Sequence, residues 1–132
     1  MSTKLTKKQA LDLAKAFKAS ALSVGTYTVE HWAELPPSER ERLNSIEWSL
    51  FNASEDMINL ATQLALDDLE AVLENIEKAT KAATNAIKKI ETTKKAVSIA
   101  AGLLTLASAI MSKSPSAILS ALKDIADEIR KG

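Results

Sequence analysis

An all-α fold, an antiparallel bundle of four to five helices, is what this sequence predicts, and three observations predict it. Glycine and proline are scarce, three of each in 132 residues, whereas sheets need many tight turns built from them. Apolar residues recur at three- and four-residue intervals, the spacing of one helix face. The few breakers also stand beside Ser and Thr residues of the kind that start helices. A hydrophobic content of 46% is enough for a modest core in a single helical domain, residues 1–132, and is too high for a disordered chain.

The first helix is expected over 6–24. Thr6-Lys7-Lys8-Gln9 has the form of a capping box, with Leu5 at the staple position before it. Leu13, Phe17, Ala21 and Val24 form its apolar stripe, and Gly25 is placed to end it. A short helix over 28–34 follows, stopped by Pro36-Pro37. Ser38-Glu39-Arg40-Glu41 reads as a second capping box.

From Ser38 no glycine or proline occurs until Gly102. One helix over 38–91 and beyond would reach about 95 Å at ~1.5 Å per residue, too long for a domain of this size. A break is expected near 52–55, where Asn52-Ala53-Ser54-Glu55 can cap a new start, or near 67, where Asp67-Asp68 interrupts the Leu60 and Leu64 stripe. The chain is expected to reverse at Glu91-Thr92-Thr93-Lys94, since adjacent threonines are poor helix formers and good caps. Leu69, Ile76, Ala83, Ile90, Val97, Leu104 and Met111 recur every seventh residue, while the companion positions are half polar. That half-seam suits antiparallel bundle packing better than a dimeric coiled coil. Helices over 93–112 and 115–131 complete the set, the last opened by Ser114-Pro115 and carrying the stripe Ile118, Leu122, Ile125 and Ile129.

A net charge of zero conceals segregation. Residues 1–24 hold five lysines against Asp12, residues 25–77 hold twelve acids against Arg40 and Arg42, and residues 78–132 hold ten bases against four acids. Packing of acidic against basic helices accounts for such an order, and so does a single-signed surface kept for a partner. Lys78, Lys81, Lys88, Lys89, Lys94 and Lys95 form a basic strip, but without arginine or interleaved aromatics nucleic-acid binding is the weaker reading.

Chemistry is hard to find. Absence of cysteine removes disulfides, thiolate zinc sites and iron–sulfur clusters. His31 is the sole histidine, so no His–His metal pair forms within one chain, and no nucleophile stands beside it. Asp67, Glu70, Glu74 and Glu77 share a helix face but lack the Glu-x-x-His pairs of carboxylate metal sites. Glycine-rich phosphate loops are missing. No catalytic residue, cofactor or metal is expected.

Residues 96–111 carry no charge, yet sixteen residues fall short of the ~17–20 that span a bilayer. A helix buried in the bundle is the favoured reading, with membrane contact or a homodimer interface as alternatives. The start of the chain leads into an amphipathic stretch instead of a signal-peptide core, which with the missing cysteines points to the cytoplasm. All five aromatics, Phe17, Tyr27, Trp32, Trp48 and Phe51, lie in the first 51 residues and are expected to close one end of the core. The expected function is non-enzymatic binding of another protein with a basic surface, in the manner of a small bacterial inhibitor, immunity or adaptor protein. Tyr27, Trp32, Asp67, Glu70, Glu74 and Glu77 are the candidate contacts.

Overall fold

Amphipathic stripes with polar ends become five helices in the computed structural model, which describes residues 3–60, 65–66, 69–90 and 93–130. They are α1 (Lys7–Glu30), α2 (Pro37–Leu60), α3 (Leu69–Lys89), α4 (Thr93–Met111) and α5 (Pro115–Arg130). The fold is an all-helical bundle. α1 packs against α2 and α3, α2 against α4, α4 against α5 and α5 against α3, so that α1, α2, α4, α5 and α3 follow one another around the core. A two-rung antiparallel backbone pairing, Thr3 with Leu66 and Lys4 with Ala65, ties the start of the chain to the α2–α3 connection.

The α1 stripe is buried as its spacing requires: Leu13, Phe17, Ala21 and Val24 all point into the core, and Leu5 is buried before the helix begins. The capping box is made. Gln9 N–H donates to Thr6 Oγ1 at 3.1 Å and Thr6 N–H donates to Gln9 Oε1 at 2.8 Å.

Gly25 does not end the helix. α1 continues to Glu30 and takes in only the first three residues of the separate helix expected over 28–34; residues 31–34 form a turn. The Glu47 carboxylate of α2 lies where a Gly25 Cβ would project, so this glycine serves close approach of two helices and not a left-handed cap. α2 also starts one residue before the expected Ser38 cap, with Pro37 in the first position and the Pro36 carbonyl accepting from Glu39 and Arg40 N–H. Helix α2 runs unbroken through 52–55, where Ser54 Oγ donates to the Phe51 carbonyl at 2.7 Å. The break falls between Leu60 and Leu69, the other of the two expected places.

α3 ends at Lys89 and α4 begins at Thr93, beside the Glu91–Lys94 stretch where a reversal is expected; Glu91 and Thr92 lie outside the described residues. Ile76, Ala83 and Val97 of the heptad positions are buried, as is Thr80, whose hydroxyl donates to the Glu77 carbonyl at 3.0 Å. Thr80 is thereby satisfied in the core by its own helix. α4 enters a Schellman ending: Lys113 adopts φ 60°, its N–H donates to the Ile110 carbonyl, and Ser114 N–H donates to the Ala109 carbonyl. Ser114 then caps α5, its Oγ accepting from Ala117 N–H at 3.3 Å. Lys95 Nζ, at the start of α4, donates to the Ile129 carbonyl near the end of α5 at 3.3 Å. That bond joins the start of α4 to the end of α5, as antiparallel helices require, and places a cation at a helix C-terminus.

Candidate functional site

Packing sorts the aromatics into two groups. Phe17 and Tyr27 are buried and Phe51 is half-buried, but Trp32 is 52% exposed and Trp48 62% exposed. The expected all-aromatic core end is therefore only partly formed. Tyr27 continues the α1 stripe three residues beyond Val24, which carries it inward to 4% exposure. That withdraws it from the candidate contact surface. Its ring stacks on His31 with centroids 4.2 Å apart, and its hydroxyl has no hydrogen-bond partner among the described residues. Burial, followed by the Glu34 and Glu39 carboxylates, pushes the Tyr27 pKa above its ordinary value.

Trp32 lies in the turn between α1 and α2. Arg40, one turn into α2, donates from Nε to the Trp32 carbonyl at 2.9 Å, and its guanidinium carbon sits 4.7 Å from the ring centre. A cation held over the ring face orients the indole while leaving its outer edge in solvent. His31 Nδ1 lies 2.9 Å from Glu34 Oε2 in the same turn, so the corner is internally braced.

Trp48 is the residue that sequence reasoning misplaced. The buried stripe of α2 is Leu43, Ile46, Leu50, Ser54 and Met57, and Trp48 stands about 200° around the helix from Ile46. On its own line are Glu41, Asn44, Asn52 and Glu55, all exposed. The signal was present in that polar spacing. Phe51 meets the Trp48 ring at 6.4 Å and supports it from one side. Glu41, Glu55 and Asp56 give this face its charge, while the exposed Arg42 lies about a third of a turn away from Trp48. Glu47, on the flank toward α1, is only partly exposed, and burial raises its pKa.

The acidic candidates occupy another part of the molecule. Asp67 lies outside the described residues. Glu70, Glu74 and Glu77 are exposed on α3, with Glu74 paired to Lys78 at 3.1 Å. Glu77 lines a groove of about 530 Å³ with Gln9, Asp12 and Lys15, near the start of α1. Tyr27 instead lines a small pocket with Ile87 and Lys88, at the far end of α3. α1 and α3 thus run parallel, and Glu70, Glu74 and Glu77 are not brought together with Tyr27 and Trp32.

Of the lysine strip, Lys78 is paired and Lys95 is bonded to α5. Lys81, Lys88 and Lys89 are exposed but spread over about 100° of α3. α4 is long and apolar enough over Lys94–Met111 to cross a membrane, yet half of that stretch is buried within the bundle. Its exposed positions are the polar Lys94, Thr105 and Ser108. Among the described residues no three His, Cys, Asp or Glu side chains cluster as metal ligands. No protein-family model matches this chain, and comparison with characterised proteins and with solved structures finds no match.

Proposed function

We propose that this protein is a non-enzymatic binding module that docks another protein through the acidic, tryptophan-bearing outer face of α2. The observation that supports this reading is the exposure of Trp48, 62%, on a face otherwise made of Glu41, Asn44, Asn52 and Glu55. A large rigid aromatic this exposed adds little to the fold beyond its contact with Phe51 and, at an interface, supplies the kind of buried anchor that dominates affinity. Its acidic surroundings select a partner with a basic surface and speed encounter with it. Trp32, fixed by Arg40, stands at the same α1–α2 hairpin and offers a second anchor. An inhibitor, immunity or adaptor role is the class of function that such a surface serves.

The test is affinity capture from the native cell lysate with the full chain as bait. Capture of a basic protein, released by raised salt and lost with Trp48→Ala, is the expected result. Recovery of the same proteins by wild type and by Trp48→Ala sinks the reading.

A further inference from the structure

The outer face of α1 is a second surface, and nothing in the α2 reading uses it. Leu11, Leu22 and Val29 are 41%, 54% and 75% exposed. At about 100° per residue, Leu11 and Val29 point in the same direction, and Leu22 lies within about 20° of them. Lys7, Lys8, Lys15 and Lys18 are exposed and fall within about 60° of the same line. No acid lies inside that arc; Asp12 and Glu30 are about 100° away, on the flank of the helix. Among the described residues none of the four lysines is within ion-pair distance of a carboxylate. The result is a straight strip whose aliphatic line, Leu11 to Val29, is about 27 Å long and whose lysines lie along its first part, Lys7 to Lys18, over about 17 Å.

We infer that this strip is a docking surface for an anionic phospholipid bilayer. Charge complementarity requires an acidic counterpart, and the residue types decide which one. Protein interfaces are enriched in Trp, Tyr and Arg and depleted in Lys, yet every base here is lysine and every exposed apolar residue is aliphatic. Nucleic-acid surfaces draw on arginine forks and aromatic stacking, which this face lacks. Lysine suits a diffuse field of lipid phosphates and carboxylates, which does not demand planar two-point bonding. Leu11, Leu22 and Val29 are spaced as separate wedges that can enter the headgroup layer while the lysines remain at its surface. α1 lies in the interface plane with its inner face still packed in the bundle, so no unfolding is needed. The membrane contact is thus made by α1, whereas α4, the apolar helix, stays in the core.

The experiment is co-sedimentation of the full chain with phosphatidylcholine vesicles with or without about one-third phosphatidylserine. Binding is expected to the anionic vesicles alone, and to fall steeply between about 0.1 M and about 1 M salt as screening shortens. At about fivefold per lysine, Lys15→Glu with Lys18→Glu lowers the partition coefficient more than about twentyfold. Leu22→Ser lowers it about fivefold. Both variants change exposed positions, and unaltered thermal melts confirm that they fold. Trp48→Ala leaves vesicle binding unchanged, which separates this surface from the α2 face. Equal binding to neutral vesicles, no binding to either kind, or full binding by the lysine double variant overturns the proposal. So does displacement from vesicles by duplex DNA or polyglutamate at equal charge, which reassigns the strip to a soluble polyanion.

Discussion

α1 and α2 are two antiparallel helices of twenty-four residues each, packed on one another, and their inner faces are alike. Both bury aliphatic residues and a few small polar ones; Phe17 of α1 and Leu50 of α2 are fully buried. Their outer faces differ in charge and in their most exposed large side chains. One presents lysines with leucine and valine, the other acids and amides with tryptophan, flanked by Arg42 and Ile58. Since inner faces carry the hydrophobic burial that holds a helix in place, outer faces are free to vary with little cost to stability. A difference this consistent in both charge and apolar type, on adjacent helices, is where the molecule differs from a generic bundle. It also explains the segregated charge: the basic first block and the start of the acidic middle block become the two arms of one hairpin.

If the inner faces hold the fold and the outer faces do not, the first way to break the comparison is to empty the shared interface. Phe17→Ala is expected to cost about 3–5 kcal/mol in urea unfolding and to disable both surfaces together. Leu22→Ser and Trp48→Ala, on the outer faces, should each stay within about 1 kcal/mol of wild type. A destabilisation by either surface change as large as that from Phe17→Ala would remove the division between inner and outer faces.

Binding is the next largest effect. Once the partner of α2 is in hand, Trp48→Ala should weaken it by about 2 kcal/mol or more, the scale of an anchoring residue. Isothermal titration at matched salt measures this. Trp32→Ala should weaken the complex less, because Arg40 already covers one face of that ring. If the order is reversed, the corner and not the α2 face is the centre of the interface.

Helix starts offer a smaller contrast between the same two elements. α1 is opened by a reciprocal side-chain box, so Thr6→Ala should cost about 1 kcal/mol. α2 is opened by Pro37 and by the Pro36 carbonyl, and Ser38→Ala should fall within about 0.5 kcal/mol of wild type. Equal losses in the two variants would mean that Ser38 caps α2 after all.

Features carried by local chemistry were legible in the sequence, and features set by a neighbouring helix were not. The Thr6–Gln9 box, the Leu13–Phe17–Ala21–Val24 stripe and the Ser114-Pro115 start each depend on residues within one or two turns, and each formed. Gly25 misled because glycine serves both a helix stop and a close helix approach; only the position of Glu47 distinguishes them. The choice between 52–55 and 67 for the break could not be made from capping residues alone, since Ser54 can satisfy its hydroxyl within a continuous helix. At the candidate site, the exposure of Glu70, Glu74 and Glu77 was readable, whereas Trp32 fitted both a core aromatic and a contact, and packing leaves it exposed. Burial of Tyr27 agrees with the expected aromatic end of the core and removes it from the candidate contacts, whereas the exposure of Trp48, encoded in helical spacing, runs against that expectation. That Glu70, Glu74 and Glu77 sit apart from Trp32 depends on the parallel run of α1 and α3, which no local pattern specifies.

The seam between the two helices yields the smallest effect and the only one with a pH signature. Burial against Gly25 raises the Glu47 pKa above that of an ordinary carboxyl. Between the unfolded and the folded pKa the native state then holds more protons than the unfolded chain. Stability contributed at this site is therefore full at low pH and declines as pH rises through that window. Glu47→Gln keeps the shape and removes the ionisation. It should raise the melting temperature at about pH 7 and leave it unchanged at about pH 3, where the wild-type carboxyl is neutral in both states. Equal shifts at both pH values would assign the effect to packing of the amide over Gly25 instead of to charge. A loss at pH 7 would mean that the ionised carboxylate stabilises the α1–α2 seam, making the acidity of α2 part of the fold as well as of its outer surface.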